Sequence, residues 1–501
     1  MIAFGDSMRD STPLASRFIF AWLNLPQVRQ AFTVGKTNFA VTCAEVLRHQ
    51  LATKLIAVYS HSRIKNLPPV NHFNHQAQYL YELMKLFFHH PLVVVRWLGH
   101  RFLPPSMATV PAEILVFSNG LHLASYASLI KSLHRAHSVH LVTDRQDPLD
   151  AFYLSQYDLY PEALKLTPVA PDDQLLSALT QKLAQLKITL PASFHLPQWI
   201  THRHFKSLFQ TCLDALIQSF LPRFLPKYAA AQALVTSTRP KLLITTHDPG
   251  PSAMAFVLAA KAKHIPTLVL LHGIPSEGMF FFSDSLLVWG PLIRQYLTNQ
   301  GIPKSKLIPG GQPIFLSYEQ YFRRHSPQFE LPTIGIIISG YGSNQPHQVK
   351  YVRSLINELL KLSPQPKIML RLHPGQYLDD IAGAKLDLGT TIEEFIAQCS
   401  VIISQTSTAI LIAALSNRPL IYFPALQPLA PQGILWHHRA FGAVNSASRA
   451  AKRVHRLLTQ PKYRDQYLSL QKRLAKDYTG PLNKTLGQDL AKAINKRFFY
   501  D

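Results

Sequence analysis

The sequence predicts an α/β protein in which two parallel-sheet domains face each other across a cleft. From Glu113 onward, short apolar runs of strand length alternate with segments of helix length. This alternation is interrupted by a polar segment at 318–332 and then starts again. Alternating strands and helices form parallel sheets. A chain of 501 residues is also too long for one ordinary domain.

The first α/β series predicts a Rossmann-like N-terminal domain over 111–317. Its predicted strands are the apolar runs at 114–117, 139–143, 241–246, 267–271 and 285–288, with a further short run at 306–308. Its predicted helices lie at 125–136, 172–188, 203–236, 252–263 and 294–300. Each short apolar run has the length of a strand buried on both faces of a parallel sheet.

The second series predicts a Rossmann-like C-terminal domain over 331–482, with the polar segment 318–332 as a turn-rich linker. Its predicted strands lie at 333–339, 367–372, 401–404 and 420–423, and its predicted helices at 347–362, 409–417, 446–458 and 463–476. A last helix, at 484–498, falls in a terminal segment, 483–501. Ligands of such folds bind at the carboxyl ends of the strands, which places the expected site in the cleft.

The first 110 residues predict a mostly helical N-terminal extension. Helical spacing of apolar residues occurs at 15–32 and again at 76–88. Pro-Pro pairs at 68–69 and 104–105 mark turns between such segments.

Composition excludes several classes of protein. With 47% hydrophobic and 16% charged residues, the chain is not globally disordered. The three cysteines lie far apart, so they form neither a disulfide framework nor a CxxC metal site. No run of 18 apolar residues predicts a membrane span, and the first 30 residues do not have the order of a secretory signal. We therefore expect a cytoplasmic protein, with peripheral association at the inner face of the cell membrane as a further expectation.

The net charge of +23 predicts anionic partners. Such a surface attracts nucleic acid, phospholipid headgroups or phosphorylated substrates, although an ordinary solvated basic surface has the same composition. The segment 439–476 alone carries ten basic residues against Asp465.

The first candidate for chemistry is His272, which follows the predicted strand 267–271 and precedes Gly273. A histidine at the carboxyl end of a buried parallel strand points toward the crevice, and its ordinary pKa suits proton transfer near neutral pH. Gly273 lets the chain turn close to a ligand. A satisfied core histidine is the alternative interpretation.

The second candidate is the pair Arg371 and His373, at the end of another predicted strand. The two residues alternate with apolar ones, so they lie on one side of the strand. Two cationic groups at that position suit a phosphate. Solvated polar residues at a strand end are the alternative.

The third candidate is a hydroxyl-rich loop before the apolar helix 409–417. It contains Ser404, Thr406, Ser407 and Thr408. Backbone amides and hydroxyls at a helix N-terminus bind anions, and four hydroxyls exceed what helix capping requires. These residues are predicted to bind an anion.

A weaker candidate is the loop that contains Gly340, Gly342 and Ser343, after the strand 333–339. It could line the cleft, but it matches neither GxGxxG nor a P-loop. The block Phe4-Gly5-Asp6-Ser7 resembles that of an esterase, but the downstream motifs such an enzyme needs are missing. Neither an Asp-x-Asp motif nor a Cys/His cluster is found, so no metal is predicted.

The order of these motifs resembles that of bacterial GT-B transferases of the CDP-glycerol glycerophosphotransferase and capsular-polysaccharide type. The resemblance covers roughly 240–500 and rests on motifs in a fixed order: His272-Gly273, Trp289-Gly290, Gly311-Gln312-Pro313, Arg371-Leu372-His373, the loop from Ser404 to Thr408, and Arg-Pro-Leu-Ile-Tyr-Phe at 418–423. Many such enzymes have Glu-Ala in the helix after the loop, where this chain has Ile412-Ala413, which leaves the donor open.

This resemblance implies a GT-B fold and a metal-independent transferase without a cofactor. It implies that the N-terminal domain lies on the acceptor side of the cleft and that the C-terminal domain binds the nucleotide donor. The donor phosphates would be bound by Arg371, His373, Ser404, Thr406, Ser407 and Thr408. The substrates of such a transferase would be a nucleotide-activated sugar or polyol phosphate and a surface-glycan or lipid-linked acceptor, as in capsule or teichoic acid-like synthesis, with His272 as the general base. Two alternatives stay open: a non-hydrolysing nucleotide-sugar 2-epimerase, which shares the fold, and a basic nucleic-acid-binding protein. The second is not expected, because no aromatic residue interleaves the basic residues at 449–456.

Overall fold

The computed structural model describes most of the two α/β domains and part of the N-terminal extension. The described residues are 11–34, 37–61, 111–118, 121–143, 162–163, 173–191, 194–196, 198, 200–246, 250–275, 281–338, 346–372, 382–387, 391–404, 408–423 and 444–500.

The N-terminal domain contains a sheet of seven parallel strands in the order β5-β4-β3-β6-β7-β8-β9. The strands are β3 (Ile114–Phe117), β4 (Val139–Thr143), β5 (Glu162–Ala163), β6 (Leu242–Thr245), β7 (Thr267–Leu270), β8 (Ser285–Val288) and β9 (Leu307–Pro309). The helices of this part of the chain are α4 (Leu121–Ala124), α5 (Ala127–His134), α6 (Asp173–Ala184), α7 (His202–Ala215), α8 (Leu221–Thr238), α9 (Pro251–Ala262) and α10 (Pro291–Asn299). A π-helical turn, Leu216–Phe220, joins α7 to α8.

The C-terminal domain contains a second sheet of five parallel strands, in the order β12-β11-β10-β13-β14. The strands are β10 (Thr333–Ile337), β11 (Lys367–Arg371), β12 (Lys385–Leu386), β13 (Val401–Ser404) and β14 (Leu420–Tyr422). The helices are α11 (Ile314–Arg323), α12 (Pro346–Leu359), α13 (Ile392–Ala397), α14 (Thr408–Leu415), α15 (Ala447–Thr459), α16 (Pro461–Thr479) and α17 (Leu486–Phe498). Two all-parallel sheets confirm the predicted pair of Rossmann-like domains.

The described part of the N-terminal extension is helical, as predicted for 15–32, and packs onto the first domain. It contains α1 (Ser11–Leu23), α2 (Pro26–Ala31), α3 (Ala40–His61) and a hairpin of β1 (Thr33–Val34) and β2 (Thr37–Asn38). Phe18 lies 4.8 Å, ring to ring, from both Phe205 and Phe209 of α7. These helices therefore share one core with α7 and α8. The predicted helix at 76–88 lies outside the described residues.

The expectation of a turn-rich linker at 318–332 is wrong for the first part of that segment. There α11 continues to Arg323, whereas 324–332 forms turns and irregular chain as expected. The helix forms because Phe315 and Phe322 are seven positions apart, about two helical turns, and so lie on one face, where both are buried. Its end is attached to the second domain by the fully buried Arg418, whose Nη2 donates to the His325 carbonyl at 2.9 Å.

The chain crosses between the two domains twice, and the two domains share a buried core. Residues of β7, β8 and α10 pack in the same buried cluster as residues of α13, α14 and α16. The Gly290 amide, just before α10, donates to the Tyr478 carbonyl of α16 at 2.8 Å. A side chain at Gly290 would overlap the Asp477 carbonyl oxygen, so glycine is required there. The last helix, α17, returns to the first domain and packs on α5.

Within the described residues, no helix has both the length and the apolar composition needed to cross a membrane.

Candidate functional site

Polar groups follow the carboxyl ends of neighbouring strands in the first domain, as the sheet topology requires. Ser118, after β3, and Thr246, after β6, join their buried hydroxyls at 2.7 Å. His272 follows β7, the next strand of the sheet, and is partly buried. The topology thus places His272 at the carboxyl edge, where ligands of such sheets bind.

The peptide that precedes His272 is held by two buried donors. The Leu271 carbonyl accepts a hydrogen bond from Tyr126 Oη at 2.6 Å and another from Trp289 Nε1 at 2.7 Å. Trp289 Nε1 also lies 3.0 Å from Tyr126 Oη. Burial raises the pKa of Tyr126 well above its usual range, so its hydroxyl stays a donor. Because a peptide unit is planar, holding the Leu271 carbonyl also holds the backbone nitrogen of His272 in place.

Replacing Tyr126 by phenylalanine is expected to lower the free energy of unfolding by about 1 kcal/mol, since the Leu271 carbonyl then keeps only one donor. Urea denaturation monitored by fluorescence measures the change. Tyr500→Phe is the matched control, because Tyr500 is 73% exposed and its substitution should have no measurable effect. Equal stability of the two variants would contradict the role assigned to the Tyr126 hydroxyl.

The loop that contains His272 meets the start of α14 from the other domain. A Cβ atom built on Gly273 would lie 3.7 Å from the Thr408 hydroxyl oxygen. Thr408 is the first residue of α14, and Gly273 directly follows His272. The structure therefore brings the first and the third sequence-predicted candidates together across the cleft.

The other described donor-site candidates lie in one row across the second sheet. Arg371 pairs with Ile337, and Ile337 pairs with Ser404, so β10 separates the two polar residues. Residues in register on alternate strands lie about 10 Å apart and face the same side of the sheet. The Ser404 side chain is fully buried, and its hydroxyl donates to the Ile337 carbonyl at 3.4 Å. The binding of a donor phosphate by these residues stays a prediction.

Arg371 has an acidic partner that the sequence analysis missed. Its Nη1 donates to Asp387 Oδ2 at 2.6 Å and lies 3.3 Å from the Thr391 carbonyl oxygen. The Asp387 side chain is 5% exposed and that of Arg371 is 20% exposed. The pair holds the guanidinium in place and offsets part of its charge. Asp387 directly follows β12, so the strand-end reasoning applied to His272 could have found it if this two-residue strand had been recognised.

The remaining candidates lie outside the described residues: His373, Thr406, Ser407, Gly340, Gly342 and Ser343. The parts of the chain that the structure describes contain no group of three or more His, Cys, Asp or Glu side chains that could hold a metal ion.

A cavity of about 690 Å³ lies beside the point where the chain crosses between the domains. Its lining includes Trp289, Gly290, Arg294, Lys304 and Gly480, but not His272, Gly273 or Thr408. The cavity is therefore separate from the contact between the His272 loop and α14.

Comparisons with known proteins establish the fold. No protein-family profile matches the chain, and no curated protein matches its sequence. Among solved structures, the Staphylococcus aureus MnaA–UDP co-structure superimposes with a TM-score of 0.50 at 10% identity, over 78% of this chain and 98% of the other. A protein described as a UDP-N-acetylglucosamine 2-epimerase, from Listeria monocytogenes, gives the same score and identity over 78% of this chain and 97% of its own. The Methanocaldococcus jannaschii UDP-GlcNAc 2-epimerase, solved with UDP-GlcNAc and UDP, has a TM-score of 0.49 at 12% identity, over 76% and 99% of the two chains.

This chain has the GT-B fold. That conclusion confirms the predicted fold class. At 10% identity the likeness concerns the fold alone.

Proposed function

We propose that the chain is a GT-B enzyme that transfers a nucleotide-activated sugar or polyol phosphate to a glycan or lipid-linked acceptor. One observation carries this proposal: the His272–Gly273 loop of the first domain meets Thr408, at the N-terminus of α14 in the second. A group able to accept a proton and a helix N-terminus able to hold an anion thereby share one cleft.

In this proposal His272 removes the proton from the acceptor hydroxyl as that oxygen attacks the donor. The bond to the nucleotide phosphate breaks, and the leaving group departs with the electron pair. Arg371, His373, Ser404, Thr406, Ser407 and Thr408 hold the donor phosphates. The positive end of the α14 dipole lowers the free energy of the charge that develops on the leaving group. Gly273 lets the donor approach the backbone of the loop closely, and Gly340, Gly342 and Ser343 line the cleft.

Nucleotide binding is the first test. The S. aureus neighbour was solved with UDP, which makes uridine diphosphate the first nucleotide to try on this chain. A ligand that binds only the folded state at a hundredfold excess over its Kd adds about 2.7 kcal/mol to stability. We expect one nucleoside diphosphate or monophosphate of a UDP, CDP, GDP and ADP panel to raise the melting temperature, with EDTA making little difference. No shift with any nucleotide, or a shift that needs a divalent ion, would contradict the proposal.

A 2-epimerase is the second candidate function. It is favoured by the fold, because neighbours with TM-scores of 0.50 include a protein described as a UDP-N-acetylglucosamine 2-epimerase. An epimerase would convert the free sugar nucleotide without an acceptor. NMR of UDP-N-acetylglucosamine incubated with the protein distinguishes the two, since a new epimer without acceptor favours the epimerase and an unchanged sugar favours the transferase.

We further propose that a lipid-linked acceptor brings the enzyme to an anionic membrane surface, on the cytoplasmic side. The net charge of +23 supports this part of the proposal.

A further inference from the structure

Helix α15 presents a strongly basic face to solvent. Its apolar side chains, Ala450, Ala451, Val454 and Leu457, are buried against the second sheet. Arg449, Lys452 and Arg456 are exposed on the other side, and α15 contains no acidic residue. Lys462, at the start of the next helix, is exposed as well. We refer to Arg449, Lys452, Arg456 and Lys462 as the basic face.

The position of Arg449 is unfavourable for the helix itself. Ser446 caps α15 by accepting a hydrogen bond from the Arg449 amide at 3.3 Å, which makes Arg449 the third helical residue. That position favours glutamate, which completes a capping box, and the positive end of the helix dipole disfavours a cation. Arg449 is exposed and opposes local helix stability, and such departures from local preference are typical of functional surfaces.

The helices on both sides of α15 extend the basic surface. α15 packs against α12 and α16, and α12 exposes Lys350 and Arg353. Residues 447–479, which cover α15 and α16, contain nine Lys and Arg against two Asp. The flanking helices also expose two large apolar side chains, Tyr351 at 39% and Leu470 at 38%. Helices that expose both basic residues and aromatic or aliphatic side chains are typical of surfaces that rest on lipid headgroups.

We propose that the basic face is the surface by which this protein docks on anionic phospholipid. The inference rests on the proposed membrane-side function for its setting, but its test needs neither nucleotide nor acceptor. Three helices side by side present a broad surface, which suits a bilayer better than a nucleic acid strand held in an aromatic-lined groove. Arg456 stacks on Tyr463, with the guanidinium carbon 4.0 Å from the ring centre, which keeps one cation of the face in place.

The test compares vesicle binding by two charge-reversed variants. The first is Arg449→Glu/Lys452→Glu/Lys462→Glu. The glutamates at 449 and 462 lie in the first turns of α15 and α16, where negative charge stabilises a helix, so this variant should fold. The matched control is Lys484→Glu/Lys492→Glu/Lys496→Glu, which changes the net charge equally at exposed positions on and just before α17. Circular dichroism verifies that both variants fold.

Binding is measured by flotation with phosphatidylcholine vesicles, with and without phosphatidylglycerol, at low and high salt. We expect the wild type to bind only the vesicles with phosphatidylglycerol, and to be released at high salt. The first variant should bind about a hundredfold more weakly or worse, and the control should change far less.

Three results would overturn the proposal. The first is wild-type protein that does not bind the anionic vesicles at low salt. The second is an equal loss of binding in both variants, which would show only a general effect of net charge. The third is binding of a single-stranded oligonucleotide that the first variant alone loses, while vesicles are not bound, which would assign the face to nucleic acid. Failure here leaves the nucleotide melting test unaffected, so the two proposals can fail separately.

Discussion

Replacing His272 by alanine is expected to lower turnover about a hundredfold or more while nucleotide binding persists. General base catalysis by a positioned side chain contributes about 10²–10⁴ in rate. His272 follows β7 at the carboxyl edge of the sheet, and the loop it begins lies close to Thr408 of the other domain, since a Cβ atom on Gly273 would be 3.7 Å from the Thr408 hydroxyl oxygen. The measurement is release of nucleotide from the activated donor whose nucleotide gives the largest melting shift, with binding followed by calorimetry.

His202→Ala provides the matched control for this prediction. His202 is exposed at the start of α7, in the helical layer of the first domain, and has no place in the proposed site. Turnover of this variant should equal that of the wild type. If His272→Ala also keeps wild-type turnover, His272 has no part in the mechanism, and the transfer reaction needs another base.

Replacing Arg371 by alanine is expected to lower the free energy of unfolding by about 3–5 kcal/mol. The loss is large because Asp387, only 5% exposed, is left without the guanidinium that lies 2.6 Å away. In the proposed site the same change weakens nucleotide affinity about ten- to a hundredfold, since one charge-assisted contact is removed. His373→Ala should weaken nucleotide affinity by a similar factor. Urea denaturation measures the first effect and calorimetric titration the second.

A double substitution separates the two roles of Arg371. In Arg371→Met/Asp387→Leu both charges are removed together, and apolar replacement of a buried ion pair is often neutral for stability. We expect this variant to recover most of the stability that Arg371→Ala loses, but not the nucleotide affinity. Recovery of both would show that Arg371 only supports the fold. Failure of Arg371→Ala to change stability would contradict the structural importance of the ion pair.

The strands and most helices of the two domains could be predicted from local sequence. Runs such as Ile114–Phe117 and Val401–Ser404 are apolar at every buried position, because a strand inside a parallel sheet is covered on both faces. The observed bounds agree with the predicted ones within a few residues for nearly all of these elements. The two-residue strands β5 and β12 were missed, because so short a segment carries no periodicity.

The helix in the first part of the linker could not be predicted either. The polar composition and the prolines of 318–332 favour turns, whereas α11 is stabilised by burial of Phe315 and Phe322 in the core that the two domains share. Tertiary packing therefore overrode a local preference. The same reason applies to the N-terminal helices, whose aromatic side chains share the core of the first domain instead of forming a unit of their own.

Residue types at strand ends can be read from the chain because a strand and the turn after it are local features. That is enough to select His272, Arg371 and the loop before α14, and to place them at the carboxyl edges of two sheets. Contacts between residues far apart in sequence are different, because they depend on how distant segments of the chain pack, either within one domain or between the two. Tyr126 and Leu271 are 145 positions apart, and Gly273 meets Thr408 from the opposite domain. Only the folded chain shows how His272 is anchored, how close it lies to α14 and that Arg371 pairs with Asp387. Local sequence does not reveal these partners, because the length of the chain between two residues does not determine whether they meet.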